Sequence, residues 1–209
     1  MSANSQSIDA ELPLALLQAV RRQDTPGDLL PDENPERSFP GRLGLSDVVG
    51  RQIREFDRLA RRHRRVEVQQ VEALLRLIAR RPDAGTIFDA AGRTLAERVT
   101  AGFAGRVRGL VRHLPESLRY RAAARVLRAA NGGVLVAGTV SVSLDPFELR
   151  ALDALTARVG RSGSACRLYG ALVAGLVELH GARTQNTVHV ECQARGDEAC
   201  VWRIEPPAQ

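Results

Sequence analysis

The sequence predicts a mixed α/β chain of the α+β kind: an antiparallel sheet packed against helices, with a helical N-terminal extension. Three observations predict it. Apolar residues recur at helical spacing in successive stretches before residue 131. A Val-rich run with small and hydroxyl residues follows from Val134 to Leu144, as strands prefer. Two further short runs, Thr187 to Ala194 and Cys200 to Glu205, flank Arg195-Gly196-Asp197-Glu198 in the manner of a hairpin.

In chain order, Ala10 to Arg22 has helical apolar spacing. It then meets a stretch from Asp24 to Pro40 containing Pro26, Pro31, Pro35 and Pro40, with Gly27 and Gly41 beside them, which predicts loop or an extended surface strap. Ser46 is a candidate N-cap for a helix to about Arg65, with Asp47 in its first turn and Val49, Ile53, Phe56 and Ala60 on one face. A helix from Glu67 to Arg81 stops at Pro82. Ala84 to about Phe103 forms the next, buried by Ile87, Phe88, Ala91, Leu95 and Val99. After Pro115, Leu118 to Ala130 continues as helix until Asn131-Gly132-Gly133. Val134 to Leu144 reads as one strand or a bent pair, closed by Asp145-Pro146. From Ser164 to Gly181 a helix carries Leu168, Leu172, Leu176 and Leu179 along one side, while Gly170 and Gly175 allow close approach by another element. The division that results is 1–65 (helices, strap and Arg-rich helix), 66–205 (the α+β domain) and a fraying tail, 206–209.

A chain of 209 residues can bury one substantial core, or a core with a small appendage. No apolar run reaches the roughly 18 residues of a membrane span, and the first twenty residues lack a signal peptide's features. The reading is therefore cytoplasmic, with no span. All thirty basic residues are Arg, and the net charge is only +6. Its distribution is uneven: residues 1–50 hold 4 Arg against 8 acids, and 51–81 hold 10 against 4. On the predicted 46–65 helix, Arg51, Arg54, Arg58, Arg61, Arg62 and Arg65 form a basic stripe. Such a stripe suits phosphate, an acidic partner or the carboxylates of a tetrapyrrole. Interleaved acids such as Glu55 and Asp57 favour a solvated face over nucleic-acid tracking.

The three cysteines, Cys166, Cys192 and Cys200, all lie in the last 44 residues, with His189 three positions before the second. Three thiols cannot all pair as disulfides, whereas Cys3His is a standard tetrahedral zinc set. The alternative is three small buried thiols. One geometric condition attaches to the metal reading: residues three apart in a regular strand point to opposite faces, so His189 and Cys192 share a metal only where the strand bends, bulges or ends. His180 and Glu191 are the other candidate fourth ligands.

The stretch Cys166-Arg-Leu-Tyr-Gly, then Leu-Val-Glu-Leu-His180-Gly, then Val188-His-Val-Glu-Cys192-Gln-Ala-Arg-Gly196-Asp197-Glu-Ala-Cys200-Val-Trp-Arg-Ile resembles the C-terminal signature of the 4-vinyl-reductase domain family. The resemblance is best over about 110–205. It implies a fold like that of transport protein particle subunits and haem-based nitric-oxide sensors. It also implies a structural zinc on the three cysteines and an acidic residue, whose position His189 occupies here. A pocket for a hydrophobic ligand between helices and sheet, a homodimer, and output through a protein partner are further implications.

Candidate aromatic residues for such a pocket are Phe88, Phe103, Tyr120, Phe147, Tyr169 and Trp202, although each taken singly reads first as core filling. His113 is a candidate polar anchor or a loop histidine. No dinucleotide fingerprint, phosphate loop, nucleophile elbow or His-Glu-x-x-His is present, and nothing in the sequence brings Ser164, His180 and Asp197 together as a triad. The reading is a non-catalytic binder or sensor of a hydrophobic small molecule, with structural zinc. The alternatives are an accessory carrier or reductase component of tetrapyrrole synthesis, and a regulator that contacts nucleic acid through the Arg helix.

Overall fold

The apolar stretches before residue 131 fold as helices, and the later runs pair into a sheet, in a computed structural model that describes residues 7–25, 48–104, 114–136, 138–160, 163–182 and 186–205. The elements are β1 (Ser7–Asp9), α1 (Glu11–Asp24), α2 (Val48–Arg61), β2 (Arg65–Glu67), α3 (Val68–Ala79), α4 (Ala84–Ala104), α5 (Glu116–Ala130), β3 (Thr139–Leu144), β4 (Phe147–Leu152), α6 (Arg167–Leu179), β5 (Asn186–Glu191) and β6 (Cys200–Glu205). The chain is thus an α+β fold with antiparallel sheets against helices. Most of the predicted strap, the Ser46 cap with Asp47, His113, the Phe103 side chain and the tail 206–209 lie outside the described residues.

The main sheet has the order β3-β4-β6-β5, antiparallel throughout. Alternation sets its inner face. Phe147, Leu149 and Ala151 of β4 stand beside Cys200, Trp202 and Ile204 of β6, with Leu149 opposite Trp202 and Ala151 opposite Cys200. α6 covers that face. Its Leu168, Tyr169, Leu172, Val173, Leu176 and Val177 are all fully buried, as befits a helix between a sheet and another helix. The other helix is α4, and glycine sets the separation: a Cβ on Gly92 would stand 2.7 Å from the Ala171 methyl, and one on Gly175 2.8 Å from that of Ala96.

Two predicted elements differ from the structure. The helix expected over 46–65 ends at Arg61. His63 adopts a left-handed φ of 49°, the chain reverses, and Arg65 lies in β2 rather than on the basic stripe. β2 pairs with β1, Ile8 opposite Val66, so the division at 65/66 falls within a strand whose partner belongs to the N-terminal part. Ile8 and the α1 residues Leu12, Leu14 and Leu16 are buried in the same core as α6. The run Val134 to Leu144 yields one strand only, β3. Val134 to Val136 are turn and loop residues tied back to helix α5 through Asn131 and Leu135. Asp145-Pro146 is a hairpin turn into β4, a strand the sequence reading did not include. No helix among the described residues is long and apolar enough to cross a membrane.

Candidate metal centre

Three turns deliver the cysteines to one point. Gly163, at a φ of 67°, opens a single 3-10 turn over Ser164–Cys166, and the Cys166 N–H closes it on the Gly163 carbonyl at 3.0 Å. Cys166 is therefore the residue that hands the chain to α6. Cys200 begins β6. Cys192 follows directly on β5, which slips register between His189 and Glu191. That bulge and the end of the strand meet the geometric condition for His189 and Cys192 to face one centre.

They do face it. One donor atom from each of Cys166, His189, Cys192 and Cys200 lies within 4.8 Å of the others, and the three thiols are buried and free of disulfides. The Cys166 and Cys192 sulfurs are 3.8 Å apart. Two thiolates on a tetrahedral zinc at about 2.3 Å are separated by roughly 3.8 Å, so this pair already stands on the edge of such a tetrahedron. His189 Nε2 is buried without a hydrogen-bond partner, and a metal ion is a natural acceptor of such a lone pair. The four residues could hold a metal ion, and the donor set fits zinc.

The surroundings prepare the sulfurs. Thr156, buried under the site, donates its hydroxyl to Cys166 Sγ at 3.5 Å, and the Gln193 N–H approaches Cys200 Sγ at 3.4 Å. The hydrogen bond shared with Cys166 pulls the Cys200 thiol below its ordinary range, helped by His189 and the Gln193 N–H. That same bond, with burial, pushes Cys166 up. Of the pair, Cys200 is the better thiolate.

Further contacts fix the loop. The Asp197 carboxylate accepts the Cys192 N–H at 2.6 Å, and the Cys192 carbonyl accepts the Arg195 N–H at 2.8 Å and the Asp197 N–H at 3.2 Å. The Gln193 side chain accepts from the Ala154 N–H and donates to the Glu198 carbonyl. Trp202 donates its indole N–H to the Cys166 carbonyl at 3.1 Å, and the His189 ring lies flat on its indole, 4.9 Å between centroids and 5° between planes. Thr156, Gln193 and Gly163 carried no signal in the sequence. Asp197 stood out only through the Gly-Asp pair between two cysteines.

The other predicted residues are distributed differently. Glu191 pairs with Arg150 at 3.4 Å, and His180 Nδ1 lies 2.7 Å from the Leu176 carbonyl, so neither belongs to the cluster. Ser164 precedes α6 and His180 caps its far end, while Asp197 serves Cys192, so the three form no triad. Phe88, Phe147, Tyr169 and Trp202 are core residues. Half-buried Tyr120 packs on Phe147 at 5.3 Å, and Tyr169 meets Trp202 edge-on at 5.8 Å. Tyr169 also accepts the Val136 N–H at 2.9 Å. Arg51, Arg54, Arg58, Arg61 and Arg62 are exposed. Of these, Arg61 pairs with Asp57 at 2.9 Å and Arg58 approaches Glu55 at 3.9 Å, the solvated-face arrangement. Arg65 binds the Ser7 and Gly132 carbonyls and stands 3.8 Å from Asp9.

Beside the cluster a cleft of about 440 Å³ opens between α4, α6 and β5. Asp89 and Arg93 line it from α4, Arg167, Gly170, Ala171, Ala174 and Glu178 from α6, and Asn186, Thr187 and His189 from β5, with Trp202 of β6 behind. Of the five aromatic candidates whose side chains are described, Trp202 alone lines it. The lining is more polar than the sequence reading anticipates. Comparison with protein-family models, curated proteins and solved structures finds no match to this chain.

Proposed function

We propose that the chain is a zinc-stabilised binding domain for a small molecule, of the 4-vinyl-reductase type, that signals or delivers through a protein partner rather than by its own chemistry. The observation that carries the reading is the convergence of four donors, three of them buried thiols, within 4.8 Å. Cys166, His189, Cys192 and Cys200 would supply all four positions of a tetrahedral ion, which leaves none open for water or substrate. Such an ion supplies cross-linking. It would tie the start of α6 to the end of β5 and the start of β6, the three elements that form two walls and the back of the cleft.

The cleft supports the binding half of the reading. Its volume falls within the range of small-molecule sites, and it shares His189 with the metal cluster, with Trp202 stacked on that ring. An ion at the cluster would hold the His189 ring in place, and the ring in turn forms part of the cleft wall. A homodimer and a partner for output belong to the same proposal.

The test is cobalt substitution of the purified full chain. A cobalt(II) protein with the intense ligand-field absorption of a tetrahedral, thiolate-rich site, displaced by one equivalent of zinc, is the expected result. Weak absorption of an octahedral kind, or no stoichiometric uptake, would contradict the assignment.

A further inference from the structure

We propose that the cleft between α4, α6 and β5 binds a small organic carboxylate, whose head is held by Arg93 and whose apolar body lies along α6. The proposal rests on the reading of the chain as a binding domain and adds the class of ligand. Arg93 is exposed, lines the cleft, and makes no hydrogen bond or ion pair among the described residues. The neighbouring charges are accounted for. Asp89, one turn before Arg93, is held by Arg167, with Arg167 Nε 3.2 Å from its carboxylate. Glu178 stands one turn beyond Gly175, which packs against the Arg93 backbone, but it has an interaction of its own. Among the described residues Arg93 is the guanidinium of the lining that no carboxylate pairs. A guanidinium binds a carboxylate through paired charge-assisted hydrogen bonds.

The body of the ligand follows from α6. Between its two charged ends, the positions that face the cleft are Gly170, Ala171 and Ala174. Their short side chains leave room above the helix. Gly170 is set by its neighbour, since a Cβ there would stand 3.2 Å from the Trp202 ring. The His189 ring, backed by the buried Trp202 on which it stacks, adds a flat surface beside this floor. Thr187 lines the same cleft, and its Oγ1 is buried without a hydrogen-bond partner, a polar group ready for the ligand's own oxygen. One cation, a hydroxyl and a flat apolar strip define a carboxylate on a compact, ring-sized body.

Trp202 is the only tryptophan in the chain, so its emission reports occupancy. The experiment titrates full chain of measured metal content with acetate, benzoate and 2-naphthoate, with benzamide as the uncharged counterpart, followed by Trp202 fluorescence and calorimetry. It is repeated with Arg93→Ala, a surface change that touches neither core nor cluster. Saturable binding of at least one ring carboxylate, weakened tenfold or more by Arg93→Ala and at least tenfold tighter than benzamide, is expected, with bound metal unchanged. Equal affinities for wild type and Arg93→Ala, equal binding of benzamide and benzoate, or no saturable binding of any of the three carboxylates would overturn it. Such failures in a protein that retains one metal ion per chain strike the ligand class alone. Absence of metal with Arg93-dependent benzoate binding would strike the zinc reading and leave this one standing.

Discussion

Gly163 faces the Cys192 sulfur so closely that a Cβ built on it would stand 2.8 Å from Sγ. The residue is also at a positive φ of 67°, which an L side chain adopts at a cost of about 1 kcal/mol. One glycine thus opens the turn that positions Cys166 and leaves the space that Cys192 occupies. Gly163→Ala should weaken metal retention by about 10–100-fold, the usual effect of disturbing a ligand's immediate support. Competition against a chromophoric chelator measures it, and unchanged retention would show that this contact is not needed for the site.

Tyr169→Phe removes the hydroxyl that the Val136 N–H donates to, at a position with no access to water. Burial pushes the phenol up, so Tyr169 stays neutral and its hydroxyl also serves the Val136 carbonyl. Leaving a buried N–H unsatisfied should cost about 1–3 kcal/mol of stability. Urea denaturation checks this, with the metal content of the folded protein expected to be unchanged.

Glycines in α4 separate packing from propensity. A Cβ on Gly92 would collide with the backbone of α6 at Leu168 and Leu172, which cannot move aside without shifting the helix. One on Gly85 would meet only the end of the Arg167 side chain, at 3.3 Å. Gly92→Ala should therefore destabilise by about 1–3 kcal/mol, and Gly85→Ala should be neutral or stabilise by up to about 1 kcal/mol. Thermal melts of the two variants test the ordering. A stable Gly92→Ala protein would mean that α4 and α6 are not so closely packed.

The helices were legible because burial of one face leaves a period that a sequence displays: Ile87, Phe88, Ala91 and Leu95 are buried in α4 as their spacing predicts. The strands were less so. β4 alternates Phe147, Leu149 and Ala151 inward over six residues, but Asp145-Pro146 reads as a stop as readily as a hairpin turn. β1 has three residues, too few for any period, and its pairing with β2 depends on a reversal at His63 that no turn-forming glycine announces. The metal ligands were legible by type and scarcity. Their support was not, because Thr156, Gln193 and Gly163 are ordinary residues whose role arises only when the turns meet. The cleft was hidden for the same reason. Its floor of Gly170, Ala171 and Ala174 reads as helix packing, and Arg93 is one arginine among thirty.

On the proposed reading, Cys166, His189, Cys192 and Cys200 hold one structural zinc. Elemental mass spectrometry of full-length protein, purified without added metal or a His tag, tests it most directly when paired with Cys192→Ser. About one zinc per chain is expected in the wild type, and loss of that zinc together with a lowered melting temperature in the variant. Wild-type protein that is folded, free of metal and in possession of three titratable thiols would contradict it.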